Sequence, residues 1–357
     1  MAIKQKYVSI KRLLTLNWEY AMLLGERSNG KSYACKEYVL KRYKETGERF
    51  IYLRRFQLET KPSYVEGYFK DAPVRQIFDD YDSIVAYRGG IYLARYDEKT
   101  GKTVRGDLVG YTAHLANEVH FKSQNYNDVT TVLFEEFITS EGYLYRECEK
   151  LSSFVSTVAR RRRIKVFLIG NTISRLCPYF SEWGLHNIPR QKQGTIETYE
   201  HHTDQVDEDG NPVTVRIAVY FCENSASNSK MFFGVSNEMV TKGTWQTRAY
   251  PHLPYRYREC NSLYYMLYHY KEFIFKIEVL RTPDRSHVLF VHPHNKLEDV
   301  RTVSDTVDPR PYVTVDFRPV NKGDKVIQLL WKDGKVFYSD NLTGSDLESI
   351  IADKGGL

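Results

Sequence analysis

Four short stretches in the first half of the chain are apolar over consecutive positions instead of alternating: YAMLL (20–24), RFIYLRR (49–55), TTVLFEEF (130–137) and KVFLIGN (165–171). Runs of this kind, rich in β-formers, predict central parallel strands covered on both faces. Between the first two, Tyr33, Ala34, Tyr38, Val39 and Tyr43 recur at helical spacing, and Gly47 is placed to end the helix. Strand, loop, helix and strand in that order predict an α/β fold with a parallel central sheet.

Alternation appears elsewhere. GGIYLARYDEKTGKTVRGDLVGYT predicts a hairpin turning at Lys99–Lys102, and ETYEHHTDQVDEDGNPVTVRIAVYF a second one turning at Asp209, Gly210 and Asn211. Residues 223–255 are rich in Ser, Asn and Gly and end in two prolines, which marks a connecting segment between regions 1–222 and 256–357. In the last region EFIFKIEVL, HVLFVHPH, YVTVDF, KVIQLLW and KVFYSD read as strands, the last two joined at Lys332, Asp333 and Gly334. SDLESIIAD reads as a closing helix with Ser345 as N-cap and Glu348 completing a capping box. The C-terminal region is therefore expected to be a small β-rich α+β domain.

With 357 residues the chain is long enough for two cores. A net charge of +6 is too weak to name a nucleic-acid partner. Its distribution is uneven: residues 1–60 carry 13 basic and 6 acidic side chains, and ARRRRIK (159–165) forms a second basic cluster. Five cysteines without a C-x-x-C pair suggest a reduced, cytosolic protein without structural zinc. Nowhere do eighteen apolar residues run together, so neither membrane insertion nor secretion is expected.

The chemistry begins after the first strand. Gly25-Glu-Arg-Ser-Asn-Gly30-Lys31-Ser32 satisfies G-x-x-x-x-G-K-[ST] between an apolar strand and a helix. Glycines let backbone N–H groups converge on phosphate oxygens, the helix N-terminus adds positive potential, Lys31 reaches the outer phosphates and Ser32 offers a hydroxyl to Mg²⁺. Arg27, Ser28 and Asn29 inside the loop and Tyr33 after it are further candidate contacts to ATP. TTVLFEEF then delivers two carboxylates at a strand end. Glu135 is expected to hold the metal and Glu136 to orient the attacking water, since paired buried acids are costly without a cation. Asn171, ending KVFLIGN, is either a contact to the terminal phosphate or a turn former.

Other residues keep two readings. Arg160, Arg161, Arg162 and Arg163 follow the helical LSSFVSTVA, and one or two could serve a neighbouring subunit as an arginine finger while the rest meet solvent or nucleic acid. Arg54 and Arg55 could touch phosphate or DNA, or merely pair with surface acids. His201, His202 and Asp204 lack a third ligand at useful spacing. YRYRECNSLYYMLYHY suits either a nucleic-acid surface or core packing. Glu278, Asp316 and Asp340 lie on expected strands where a two-metal nuclease could gather carboxylates, or where outward positions simply alternate.

Taken together, LLGERSNGKSYACKEY, GERFIYLRR, KSQNYNDVTTVLFEEFI and TVARRRRIKVFLIGNTIS followed by CPYF resemble, in order and spacing, the DNA-encapsidation ATPases of phi29-like phages, relatives of large terminase motor subunits. The resemblance covers roughly residues 15–185. It implies a P-loop ATPase domain of the ASCE type, a small linker domain and a degenerate nuclease-like (RNase H-like) domain. It also implies a ring, commonly of five subunits, in the host cytoplasm, docked on the portal of an empty capsid and pumping double-stranded DNA inward. A scaffold RNA lies between ring and portal in part of the family.

By the same resemblance, Gly25, Gly30, Lys31 and Ser32 form the phosphate loop, Glu135 and Glu136 are the metal and water carboxylates, Arg160 is the trans-acting finger and Asn171 a sensor. Two positions depart from the pattern: Glu135 stands where relatives usually carry Asp, and Phe56-Gln57 where they can carry a lysine. Rival expectations are a large terminase or helicase with an active nuclease, and a portal- or RNA-binding assembly protein whose loop only binds nucleotide.

Overall fold

The computed structural model describes residues 7–121, 124–139, 142–206, 212–223, 245, 249–271 and 273–353. Contacts divide them into two compact units, the first holding the described residues of 7–173 and 187–223, the second those of 174–186 and from 245 onward.

In chain order the first unit contains α1 (Lys11–Leu14), β1 (Tyr20–Gly25), α2 (Lys31–Thr46), β2 (Arg49–Arg54), α3 (Pro62–Phe69), α4 (Val74–Ile77) and β3 (Ser83–Tyr87). There follow β4 (Gly90–Asp97), β5 (Lys102–His114), β6 (Val129–Glu135), α5 (Glu147–Ala159), β7 (Lys165–Asn171), β8 (Thr195–Val206) and β9 (Pro212–Phe221). They build a nine-stranded sheet in the order β3-β4-β5-β2-β6-β7-β1-β9-β8. The four uninterrupted apolar runs are adjacent parallel strands, β2-β6-β7-β1. Met22, Leu23, Leu24, Leu133, Phe134, Phe167 and Leu168 are completely buried, which is why these strands do not alternate. Gly47 ends α2 in the left-handed conformation at φ 74, its N–H bonded to the carbonyl of Tyr43.

Both expected hairpins form, as antiparallel β4–β5 and β8–β9, with residues 209–211 of the second turn outside the described residues. Their place in the sheet was not legible locally: β9 pairs parallel with β1, and β5 parallel with β2, so both hairpins extend the central sheet. Most of the connecting segment 223–255 also lies outside the described residues.

The second unit contains α6 (Pro178–Glu182), β10 (Asn261–Tyr270), β11 (Phe273–Arg281), β12 (His287–Pro293), β13 (Thr302–Ser304), β14 (Val313–Thr314), α7 (Lys322–Lys332), β15 (Val336–Tyr338) and α8 (Asn341–Asp353). Its six-stranded mixed sheet runs β14-β13-β10-β11-β12-β15. The tyrosine-rich run around Tyr264 is β10, and Met266, Tyr268 and Tyr270 belong to the core, together with Ile327 and Leu330 of α7 and Leu347 and Ile350 of α8.

Three expectations need correction here. KVIQLLW is helical: Asn321 caps α7 by accepting the Asp324 N–H at 2.8 Å, and only Ile327 and Leu330, three apart, are buried, while Leu329 is 62% exposed. That is helix periodicity concealed in a short apolar run. YVTVDF forms a strand only at Val313–Thr314. Ser345 is not an N-cap, because α8 begins at Asn341, where the Asp340 carboxylate accepts the Thr343 N–H at 2.8 Å.

Candidate active site

The ends of parallel strands β1, β6 and β7 open on one side of the sheet, where α/β folds gather ligands. Gly25 pairs in register with Asn171, and Glu135 with Ile169, so the loops leaving three strands start at the same level. Between them lies a cavity of about 670 Å³, lined by residues 27–33 of the loop and α2, by Glu135 and Glu136, and by Asn171. Cavities of roughly this size, about 300–1,000 Å³, commonly hold small molecules.

The loop conformation depends on glycine. Gly30 has φ 93, and a Cβ there would come within 3.0 Å of the Tyr7 ring; Gly25, at φ 153, would bring one to 2.9 Å from the Asn29 amide. Ser28 also sits at positive φ, 62, in the left-handed region. The 16-residue helix α2 follows Gly30, which has no side chain to cap it, and its first residues, Lys31, Ser32 and Tyr33, line the cavity.

Lys31 is only 4% exposed, and its ammonium donates to the Glu26 carbonyl at 2.6 Å, the Asn29 Oδ1 at 3.1 Å and the Asn171 Oδ1 at 3.4 Å. It forms no ion pair of 4 Å or less with a described residue. Burial lowers its pKa, while the nearby Glu135 and Glu26 carboxylates act in the opposite direction. A buried cation satisfied by neutral oxygens at a cavity wall suits an anionic ligand.

Glu135 is buried and accepts a hydrogen bond from the Ser32 hydroxyl. Burial raises its pKa, against the Ser32 bond and the charges of Arg54, Lys31 and Lys36. Ser32 and Glu135 thus juxtapose two hard oxygen donors at the cavity wall. That set fits Mg²⁺, which is commonly bound through one or two protein oxygens plus substrate phosphates and water.

Glu136 differs in every respect. Its side chain is 61% exposed, its backbone lies at φ 58, and its carboxylate receives Arg54 Nη2 at 2.7 Å. Arg55 forms a buried bidentate pair with Glu147, at 2.8 and 2.9 Å, and donates to the carbonyls of Glu136 at 3.0 Å and Phe137 at 2.8 Å. Of the alternatives open for these arginines, both pair with acids, and both grip the segment that carries Glu136.

Arg27, Ser28, Asn29, Tyr33 and Asn171 line the cavity. Arg160 does not. It closes α5 at φ 42, with its guanidinium on the Gln124 carbonyl at 2.8 Å, next to the start of β6 and so at the opposite end of that strand from Glu135. Seven residues of β6 at about 3.3 Å each put roughly 20 Å between the two ends. Arg162 is occupied by the carbonyls of Val129, Tyr126 and Val158 at 2.8–3.0 Å, and Arg163 by Asn17 and Glu19.

Two cavity residues had no signal in the sequence. Tyr7 reaches the site because the Val8 N–H bonds the Asn29 carbonyl at 2.9 Å, and Asp71 because Lys36 on α2 holds its carboxylate at 2.5 Å.

The remaining candidates stand apart. His201 and His202 lie on β8, His202 beside Thr214 at 3.1 Å. Glu278 is fully buried among Tyr257, Ser262, Lys276 and His292, Asp316 is exposed, and Asp340 caps α8. No group of three or more His, Cys, Asp or Glu among the described residues is arranged to hold a metal ion. No described helix is long and apolar enough to cross a membrane.

The family model described as Podovirus DNA encapsidation protein (Gp16) matches residues 3–208. The DNA packaging protein of Bacillus phage phi29 is 33% identical over 180 residues, which is 49% of this chain and 48% of that protein. Its counterpart from Bacillus phage B103 is 33% identical over 167 residues, 46% of this chain and 47% of that protein. The matches therefore span about half the length of these curated relatives. Among solved structures, a chain of the bacteriophage Phi-29 viral genome packaging motor assembly aligns with a TM-score of 0.56 at 19% identity over 98% of each chain, a likeness of fold.

Proposed function

The chain belongs to the podovirus DNA encapsidation protein (Gp16) family, and from that membership we propose that it is an ATP-hydrolysing motor subunit that moves double-stranded viral DNA into a preformed procapsid. The observation that carries the reading is Lys31, a buried ammonium at a cavity wall with only neutral acceptors, below an uncapped helix start and level with the Glu135-Glu136 strand end.

In this reading the loop from Gly25 to Gly30 and Lys31 bind the triphosphate and fix its orientation. Ser32 and Glu135 would hold Mg²⁺, which supplies charge neutralisation on the β- and γ-phosphate oxygens. Glu136, once free of Arg54, orients the attacking water and accepts its proton. Asn171 stands beside Lys31 to read the terminal phosphate. Arg160 lies too far from the cavity to serve its own site, so it would act on the site of a neighbouring copy.

That division of labour calls for a homo-oligomeric ring, which we take to be a pentamer docked on the portal in the host cytoplasm. The second unit would be a nuclease-like domain without working chemistry, since Glu278, Asp316 and Asp340 have separate surroundings and tasks.

The test is hydrolysis measured with and without double-stranded DNA. Lys31→Ala should weaken ATP binding on the order of 100-fold, through the loss of charge-assisted bonds. Glu136→Gln should bind ATP but not turn it over. Normal DNA-stimulated turnover in either variant would sink the assignment.

A further inference from the structure

Beyond the nucleotide site, one edge of the first sheet carries an unusual charge arrangement. Strands β3, β4 and β5 form an antiparallel meander whose outer part, Arg95–Asp97 paired with Lys102–Val104, is mostly exposed. The β4–β5 register shifts between Tyr92 and Ala94, and Arg105, opposite Ala94, lies against the Tyr92 ring. Gly90 makes room there, since a Cβ on it would lie 2.7 Å from the Tyr92 ring. Arg105 packs on the rings of Tyr87 at 4.5 Å and Tyr92 at 4.7 Å, and Arg88 on Tyr87 at 5.1 Å.

These cations differ from the arginines of α2, of β2 and of the position after it. Arg42, Arg49, Arg54 and Arg55 each have a carboxylate partner. Arg88, Arg95, Lys99, Lys102 and Arg105 form no ion pair with a described residue. Of the three acids in the same stretch, Asp97 is engaged in the turn by the Lys99 N–H at 3.0 Å and the Thr100 hydroxyl at 2.8 Å, leaving Glu98 and Asp107. The ring-packed guanidinium groups of Arg88 and Arg105 keep N–H donors that no described residue takes up, and such donors bind phosphate oxygens. Tyr87 and Tyr96 on the same edge are 44% and 57% exposed.

We propose that this meander grips the phosphate backbone of duplex DNA, with Arg88 and Arg105 propped on Tyr87 and Tyr92 and with Arg95 and Lys102 on the projecting ribbon. A two-stranded ribbon is of a width that follows a DNA groove, and contacts to phosphate are independent of sequence. The choice of duplex DNA as the anion rests on the motor reading; the unpaired cations do not.

The experiment measures full-chain binding to duplex DNA by fluorescence anisotropy across a salt series. Each lost phosphate contact should flatten the slope of log K against log salt by about 0.9. Arg88→Gln with Arg105→Gln should flatten it by roughly 2 and weaken binding on the order of tenfold at moderate salt, with ATP affinity unchanged. Should that variant fold poorly, Arg95→Gln with Lys102→Gln, at solvent-facing positions, gives the same reading. Unchanged slope and affinity overturn the grip and leave the motor reading intact. Lost affinity for duplex RNA with DNA affinity intact overturns DNA as the occupant. A parent chain with no DNA-stimulated hydrolysis overturns the motor reading and the choice of DNA with it.

Discussion

Arg54 and Glu136 are joined by a 2.7 Å ion pair, and the same guanidinium also holds Glu59, the carboxylate that caps the Phe56 N–H at 2.9 Å. Arg54 is the sheltered member, its side chain 11% exposed, and Glu136 the open one. Glu136 is at once the proposed base and a carboxylate already engaged, and it is held at a backbone angle that non-glycine residues rarely adopt. Hydrolysis in this arrangement requires the pair to open.

Arg54→Gln is therefore expected to raise hydrolysis in the absence of DNA. An ion pair with one exposed partner contributes about 1 kcal/mol, roughly a fivefold change in the population of released Glu136. The ratio of DNA-stimulated to basal turnover should fall by a similar factor. Basal turnover lower than in the parent would show that Arg54 assists the chemistry instead of restraining it.

How much of this could be read in advance depends on the range of the interactions. The four buried strands were legible because burial on both faces writes itself into consecutive positions, α2 because its apolar residues recur at helical spacing, and the loop because backbone geometry demands Gly25 and Gly30 where phosphate and metal chemistry asks for Lys31 and Ser32. The partners of Arg54 and Arg55 were not, since Glu136 and Glu147 lie 82 and 92 positions away and ion pairs leave no local pattern. Tyr7 and Asp71 reach the cavity through single contacts to the loop and to Lys36. KVIQLLW misled because five apolar residues in seven satisfy either period, and only the Asn321 cap and the exposure of Leu329 distinguish helix from strand.

Glu135 predicts a pH dependence. Burial raises its pKa, so the folded chain keeps this proton to a higher pH than the unfolded chain does. Ionisation therefore costs stability as pH climbs from the unfolded value of about 4.3 through the raised folded value. Without nucleotide or metal, Glu135→Gln should melt above the parent at pH 8, with the gap closing on acidification. The same variant should lose Mg²⁺-dependent hydrolysis. A gap that widens as pH falls would refute the burial account.

Glu278 has the opposite sign. Burial alone would raise its pKa, but hydrogen bonds from His292 at 3.1 Å, Lys276 at 2.8 Å and Tyr257 at 2.7 Å outweigh it and bring the value down to about 2. The resulting stability is present above the unfolded value and is lost as pH falls toward 2. Glu278→Gln should reduce the unfolding free energy of the second unit at pH 7 by roughly 3 kcal/mol at most. Urea titrations at pH 7 and pH 3.5 check this, because the parent should lose more than the variant between them. Equal losses would mean that these three donors do not stabilise the charge.

Arg160 gives the sharpest test of a shared site. Its φ of 42 suits glycine, so Arg160→Gly removes the side chain with the least backbone cost, whereas Arg162→Ala strips three carbonyls of their donor and should chiefly lower stability. Rings of Arg160→Gly subunits alone, or of Glu136→Gln subunits alone, should be inactive. In an equal mixture, a subunit with its own Glu136 meets a neighbour with Arg160 in roughly a quarter of random pairings, if the finger acts in trans around a closed ring. Activity near a quarter of the parent's is therefore expected on mixing. A mixture no more active than its components would argue against a finger acting in trans, and full activity of Arg160→Gly rings alone would return Arg160 to its visible task, holding the Gln124 carbonyl at the end of α5.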